Sequence, residues 1–104
     1  MRTDNQELVK CIEACLDLGM DERLPLERQN EMLALGKRLR GSLVNLLMAE
    51  FPEDLQQVRE ANEQLRSLNH TLANKQQAIQ HIADTIGKIN QAVKVLDGLL
   101  KFAS

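Results

Sequence analysis

The sequence predicts an all-α protein: an elongated antiparallel helical hairpin or bundle with one long, coiled-coil-like helix in its C-terminal half. Apolar residues recur at helical spacing over most of the 104 residues, and no stretch alternates apolar and polar side chains as a strand would. Aromatic residues make up only 2% of the chain, so the 43% hydrophobic fraction is almost entirely aliphatic. Such a composition is typical of side chains that interlock between helices.

The first helix is predicted over residues 4–18. Thr3 is the expected N-cap, with Gln6 as the reciprocal partner of a capping box. Gly19 is expected to end the helix, because glycine adopts a positive φ at little cost. The residues of the apolar stripe are Leu8, Cys11, Ile12, Cys15, Leu16 and Leu18.

The second helix is predicted over residues 25–50. Pro25 suits the first helical position, where its missing N–H needs no partner. Gly36 and Gly41 fall inside the helix, where each costs about 1 kcal/mol relative to alanine. That cost is either tolerated, or Gly36 marks the close approach of a neighbouring helix. The apolar face consists of Met32, Leu35, Leu39, Leu43, Leu46 and Leu47.

The third helix is predicted over residues 53–102, after Pro52, which disfavours helical backbone at Phe51. The chain either reverses or only kinks at Pro52, and a reversal is favoured because a hairpin buries both apolar stripes. A heptad repeat runs through the third helix. The a positions are Val58, Leu65, Leu72, Ile79, Ile86, Val93 and Leu100. The d positions are Ala61, Leu68, Lys75, Ile82, Ile89, Leu96 and Ala103. Lys75 is the single polar member, and it either fixes the register or sits where the core changes partners.

This unbroken register predicts that the third helix is continuous. Asn69, His70, Thr71 and Asn74 are mediocre helix formers. A loop at these residues would give a compact four-helix monomer, but a loop has no reason to preserve heptad phase. A helix over residues 53–102 would be about 75 Å long at 1.5 Å per residue.

The expected lengths of the helices predict a homodimer. An antiparallel second helix reaches only to about Gln77, which leaves the wide apolar face from Ala78 to Ala103 without a partner. Exposed aliphatic surface of that extent favours association. The residues predicted to form the self-association seam are Ile79, Ile82, Ile86, Ile89, Val93, Leu96 and Leu100.

Few residues suggest chemistry. Cys11 and Cys15 share one helix face, and they are either half of a metal site or two small buried hydrophobes. His70 and His81 fall outside the seam and are expected on the solvated surface. The sequence contains no phosphate-binding loop, nucleophile elbow or HExxH motif. We therefore expect no enzyme activity, no cofactor and no metal.

The charge balance limits the partners. A net charge of −2 and a pI of about 5.7 argue against a dedicated nucleic-acid-binding protein. Lys37, Arg38 and Arg40 form a basic cluster that is either a solvated face or a patch for phosphate or an anionic membrane surface. No apolar segment approaches the ~20 residues needed to span a bilayer, and no signal peptide is recognised, so the expected compartment is the cytoplasm.

The function that these patterns favour is a non-enzymatic protein-interaction module, a scaffold or an adaptor, that self-associates through the helical aliphatic seam. One alternative is a small helical chaperone that guards an amphipathic segment of another protein. The other is weak binding of nucleic acid or an anionic surface through Lys37, Arg38 and Arg40.

Overall fold

Helices dominate residues 1–103, the part of the chain that the computed structural model describes, and no strand occurs among them. They are α1 (Asn5–Gly19), α2 (Leu26–Leu46), α3 (Gln56–Ala73), α4 (Lys75–Gln80) and α5 (Ile82–Leu99), followed by a 3-10 turn at Leu100–Phe102. The all-α class predicted from the sequence is confirmed.

The four long helices form a bundle. α1 packs against α2 and α3, and α5 packs against the same two helices from the other side, so α2 and α3 lie diagonally opposite each other. The bundle measures 43 × 20 × 18 Å. The fully buried large side chains include Leu8, Leu18, Met32, Leu39, Leu46, Val58, Leu65, Ile89, Leu96 and Leu99. The core is therefore aliphatic and is shared by all four helices.

Both ends of α1 differ in detail from the prediction. Asp4 is the N-cap, and its carboxylate accepts a hydrogen bond from the backbone N–H of Glu7 at 3.2 Å. Thr3 is buried one residue earlier and donates its hydroxyl to Asn5 instead. Gly19 is the last residue of α1 and its φ is not positive. A Cβ at Gly19 would lie 3.1 Å from the backbone nitrogen of Leu33, so this glycine permits close contact between α1 and α2.

The second helix follows Pro25 as predicted but ends at Leu46, four residues before the expected boundary. Its two internal glycines have different roles. A Cβ at Gly36 would lie 2.8 Å from Cδ2 of Leu16 on α1, whereas nothing lies within 4 Å of a Cβ at Gly41. The close-approach interpretation therefore holds at Gly36, and Gly41 is a tolerated cost.

The chain reverses between α2 and α3. Met1 and Phe51 are joined by two backbone hydrogen bonds, of 2.8 and 2.9 Å, next to the start of α1. The backbone N–H of Asp4 donates to Asn62, and the Asn69 amide donates to the Glu7 carbonyl, both at 2.8 Å. α3 consequently runs alongside α1 and in the same direction.

The prediction of one continuous helix over residues 53–102 is wrong. α3 ends at Ala73, and Asn74 leaves the helical region with φ −97° and ψ 89°. The Asn74 side chain caps α4 by accepting the N–H of Gln77 at 3.2 Å. His81, at φ −116° and ψ 44°, separates α4 from α5. Folding back lets the apolar faces of α3 and α5 bury each other within one chain, which offsets the interrupted helix.

The elongated shape predicted from that long helix is also wrong, since the bundle is 43 Å long. The chain has the compact four-helix arrangement that the sequence analysis rejected because the heptad phase is unbroken. Lys75 begins α4 and is exposed at the reversal. Its position agrees with the interpretation that the core changes partners there. None of the helices in residues 1–103 combines the length and the apolar character needed to cross a bilayer.

Candidate functional site

An apolar groove lies on the outer surface between α1 and α2. We call it the α1–α2 groove, and it encloses about 420 Å³. Its lining residues are Asn5, Gln6, Val9 and Lys10 from α1 and Leu43 and Leu47 from α2. Leu43 and Leu47 are four residues apart and lie one above the other on the same helix face. Val9 lies at the edge of the buried stripe of α1 and is 38% exposed.

Further apolar side chains extend the surface next to this groove. Val44 lies in the last turn of α2, and Met48 lies in the turn that follows the helix. Val44 is 66% exposed, Leu47 48% and Met48 81%. The buried Leu46 belongs to the core, so the C-terminal end of α2 is apolar on most of its circumference. Packing within the chain does not require this outer apolar surface.

The N-terminal segment fixes one end of the groove. The paired backbone bonds between Met1 and Phe51 hold this segment against the connection after α2. Arg2 adds a 2.9 Å ion pair to Glu50. Because the start of α1 and the end of α2 are tied together, the α1 side and the α2 side of the groove keep a defined separation.

The basic cluster of α2 is divided by the fold. Arg38 points toward α5 and forms a 2.6 Å ion pair with Asp97. Lys37 and Arg40 are exposed. They are three residues apart and therefore lie on one face of α2, which Arg38 does not share. Weak binding of an anionic surface, as predicted from the sequence, would therefore depend on Lys37 and Arg40.

The residues of the predicted self-association seam lie inside the bundle. Ile89 and Leu96 are at most 1% exposed, and Ile86 and Val93 are at most 9% exposed. Ile79, Ile82 and Leu100 are partly buried against the same core. α2 and α3 of the same chain cover this face of α5. The uncovered face from which the homodimer was inferred is therefore not present in the folded chain.

The two cysteines are buried in the core of α1. Both side chains are fully inaccessible to solvent and carry free thiols. The Cys11 thiol lies 3.6 Å from the carbonyl oxygen of Leu65. Burial raises the pKa of both thiols from 9.0 to about 12. These properties agree with the interpretation of the pair as small hydrophobes.

We expect alkylation of Cys11 and Cys15 by iodoacetamide at pH 8 to be at least about 100-fold slower in the folded chain than in urea. The thiolate is the reactive form, and a pKa near 12 leaves very little of it in the folded state. Mass spectrometry of timed samples measures the rates, with a small thiol as the control. Equal rates in buffer and in urea would contradict the burial of both thiols.

A polar cleft of about 810 Å³ lies where the chain turns from α3 into α5. It brings together His70 and His81, which the sequence placed separately on the surface, with Asp84 and Lys88 beside them. Lys88 donates to the Thr71 hydroxyl at 3.5 Å. Within residues 1–103, no three His, Cys, Asp or Glu side chains converge as a metal site would require. The polar side chains of the cleft offer hydrogen bonds to a bound group.

Sequence reasoning missed the α1–α2 groove. The available signal was Val9, which is apolar although it lies outside the buried stripe of α1. Comparisons with protein-family models, with curated proteins and with solved structures find no significant match for this chain.

Proposed function

We propose that this chain is a non-enzymatic protein-interaction module, an adaptor or a scaffold, that binds an amphipathic helix of another protein in the α1–α2 groove. The observation that carries the proposal is the apolar lining of the groove, formed by Val9, Leu43 and Leu47, of which Val9 is 38% and Leu47 48% exposed. Grooves between helices commonly receive the apolar face of a further helix, with anchors at i, i+3, i+4 and i+7. Met48 follows the groove residue Leu47 in the chain and is 81% exposed, and a flexible thioether adapts to different partners.

The surroundings of the groove favour a helix over a small molecule. The groove is a shallow surface feature formed along two helices, not a cavity that closes around a ligand. Its ends carry polar side chains, Asn5 and Gln6 at one end and Lys10 along the side. Such a polar rim around an apolar centre is the usual anatomy of a protein interface.

Self-association is the alternative arrangement for the same surface. A symmetric homodimer that joins two copies of the α1–α2 groove would bury the same side chains without another protein. Sedimentation equilibrium separates the two arrangements. A mass of 11.8 kDa at tens of micromolar supports a groove that is free for a partner, whereas a dimer that Leu47→Glu dissociates supports self-association.

We expect selection from a displayed library of 20-residue peptides to enrich amphipathic helical sequences that bind this chain. Leu47→Glu should weaken their binding at least tenfold, because it places a charge in the apolar groove. Phe102→Glu is the matched control, since Phe102 is 47% exposed and Leu47 48% exposed, and only Leu47 lines the groove. Fluorescence anisotropy with an enriched peptide measures both variants.

Two results would contradict the proposal. One is a library that yields no helical binder. The other is equal loss of binding in the Leu47→Glu and Phe102→Glu variants, which would place the peptide elsewhere or indicate a general effect of charge. Circular dichroism of both variants establishes that the bundle is intact before binding is compared.

A further inference from the structure

The heptad phase is continuous across the reversal of the chain. The buried residues of α3 are Val58, Ala61, Leu65, Leu68 and Leu72, and all five are a or d positions. Counting on through α4 without a gap, Ile86, Ile89, Val93 and Leu96 of α5 are again a and d positions. The connection over residues 74–81 lies at the upper end of the usual length for a link between two helices. The spacing suits a state in which α3 and α5 are one helix.

The connection also has the chemistry of a helix. Residues 74–81 contain neither glycine nor proline, and six of them already form α4. Only Asn74 and His81 depart from helical backbone, and both have negative φ, at −97° and −116°. Straightening requires chiefly a change of ψ at these two residues, from 89° and 44° to about −42°. No left-handed backbone conformation opposes it.

Apart from its neighbours along the chain, α4 and the 3-10 turn, the main contacts of α5 are made with helices before the connection. α5 packs against α2 and α3, and Asp97 pairs with Arg38 of α2 at 2.6 Å. A second copy can supply the same contacts from its own α5, because nothing in them depends on which chain α5 belongs to. The Thr85 hydroxyl donates to the His81 carbonyl at 3.0 Å, a bond over four residues that a straight helix retains. The same hydroxyl also lies 3.1 Å from the Ala78 carbonyl, seven residues away, and straightening breaks that bond.

We propose that this chain forms a domain-swapped homodimer in which residues 74–81 straighten and each α5 packs between α2 and α3 of the partner copy. The joined helix would cover 56–99 and measure about 66 Å. The monomer is favoured at low concentration, because the chain supplies its own α5 at an effective concentration on the order of millimolar. The dimer is therefore populated at millimolar protein, or after refolding at high concentration, and exchanges slowly.

This proposal is independent of the proposed function, since α1 and α2 keep the α1–α2 groove in either state. The dimer would present two copies of the groove at the ends of a rigid rod. If peptides fail to bind, the swapped-dimer proposal is unaffected. If the swapped dimer does not form, the proposed binding of a helix in the α1–α2 groove is unaffected.

The first test deletes Lys75–His81, which removes one heptad and joins Asn74 directly to Ile82 with the phase intact. Such a chain cannot fold back, so we expect a dimer at micromolar concentration by light scattering, with a helix content like that of the full chain. A folded monomer would overturn the proposal. An unfolded variant would overturn it as well, because heptad phase would then not suffice to join α3 and α5.

The second test uses the full-length chain. Asn74→Ala with His81→Ala should strengthen dimerisation at least tenfold, and Asn74→Gly with His81→Gly should weaken it at least tenfold, since alanine favours helix and glycine disfavours it. The proposal would be overturned if the two double variants dimerised equally strongly, or if both changed the dimerisation constant in the same direction.

The third test identifies which chain supplies α5. In the dimer fraction, a short bismaleimide between Arg38→Cys and Asp97→Cys should join two chains covalently on a denaturing gel, because these positions face each other across α2 and α5. The native thiols are buried and do not compete. Cross-links confined to single chains in that fraction would show an unswapped dimer and overturn the proposal.

Discussion

Ile89→Ala should lower the free energy of unfolding by about 2–5 kcal/mol, the range for removing a large aliphatic side chain from a well-packed core. Ile89 is 0% exposed and lies on the face of α5 that packs against α2 and α3. The substitution leaves a cavity between three helices, which neighbouring side chains in a bundle of this density fill only in part.

Urea denaturation followed by circular dichroism measures this loss, with Val44→Ala as the control. Val44 is 66% exposed, so its truncation should change the free energy of unfolding by less than about 0.5 kcal/mol. Comparison of the Ile89→Ala and Val44→Ala variants also shows whether the heptad positions of α5 face the core of one chain or an interface between chains. If Ile89 lay on an external dimer interface, its replacement would change the solution mass and have a small effect on the unfolding of the monomer.

Gly36→Val should lower the free energy of unfolding by about 1–3 kcal/mol, the usual effect of an overpacked contact. A Cβ at this position would lie 2.8 Å from Cδ2 and 3.1 Å from Cγ of Leu16, and 3.5 Å from Cβ of Cys15. Valine adds two methyl groups beyond that Cβ, and its restricted χ1 leaves few ways to turn them aside. α1 and α2 must therefore separate, along the contact that forms the α1–α2 groove.

Gly41→Ala provides the control of opposite sign. It lies five residues further along α2, it is exposed, and nothing lies within 4 Å of its Cβ position. Alanine there should raise the free energy of unfolding by about 0.5–1 kcal/mol through helix propensity alone. Thermal unfolding of the two variants should shift in opposite directions. A stabilising effect at both positions would show that α1 and α2 are not in close contact at Gly36.

The sequence was sufficient to identify the class, the approximate limits of α1 and the start of α2, because those features depend on local periodicity and on Pro25. At residues 73–82 the sequence led to a wrong prediction. The heptad pattern there does not distinguish one continuous helix from two helices that fold back on each other. A repeat of a and d positions states which side chains are buried, and both a long helix and a folded-back pair bury Leu65 and Ile89. Tertiary packing decided in favour of the pair, with Asn74 as the local cap.

The candidate groove was harder to predict for a related reason. Periodicity identifies the stripe that faces a core, and Leu43 was assigned to that stripe although it is only partly buried and lines the groove. Val44 and Met48 are apolar outside the stripe, and such isolated residues are common on protein surfaces. Only the pairing of α1 with α2 in space brings Leu43 and Leu47 beside Val9 and makes them a continuous surface.

The position of α5 between α2 and α3 has a consequence for how the protein is made. α1 meets α2, its neighbour along the chain, so that contact closes a short loop and forms early. α5 is synthesised after α1, α2 and α3, and its 18 residues need about 1–4 s at ribosomal rates of 5–20 residues per second. Until α5 is complete, the apolar faces of α2 and α3 that pack against it have no partner. If the chain swaps α5 as proposed, the α5 of a neighbouring copy competes for these faces, and we then expect the yield of swapped dimer to rise when copies are synthesised close together.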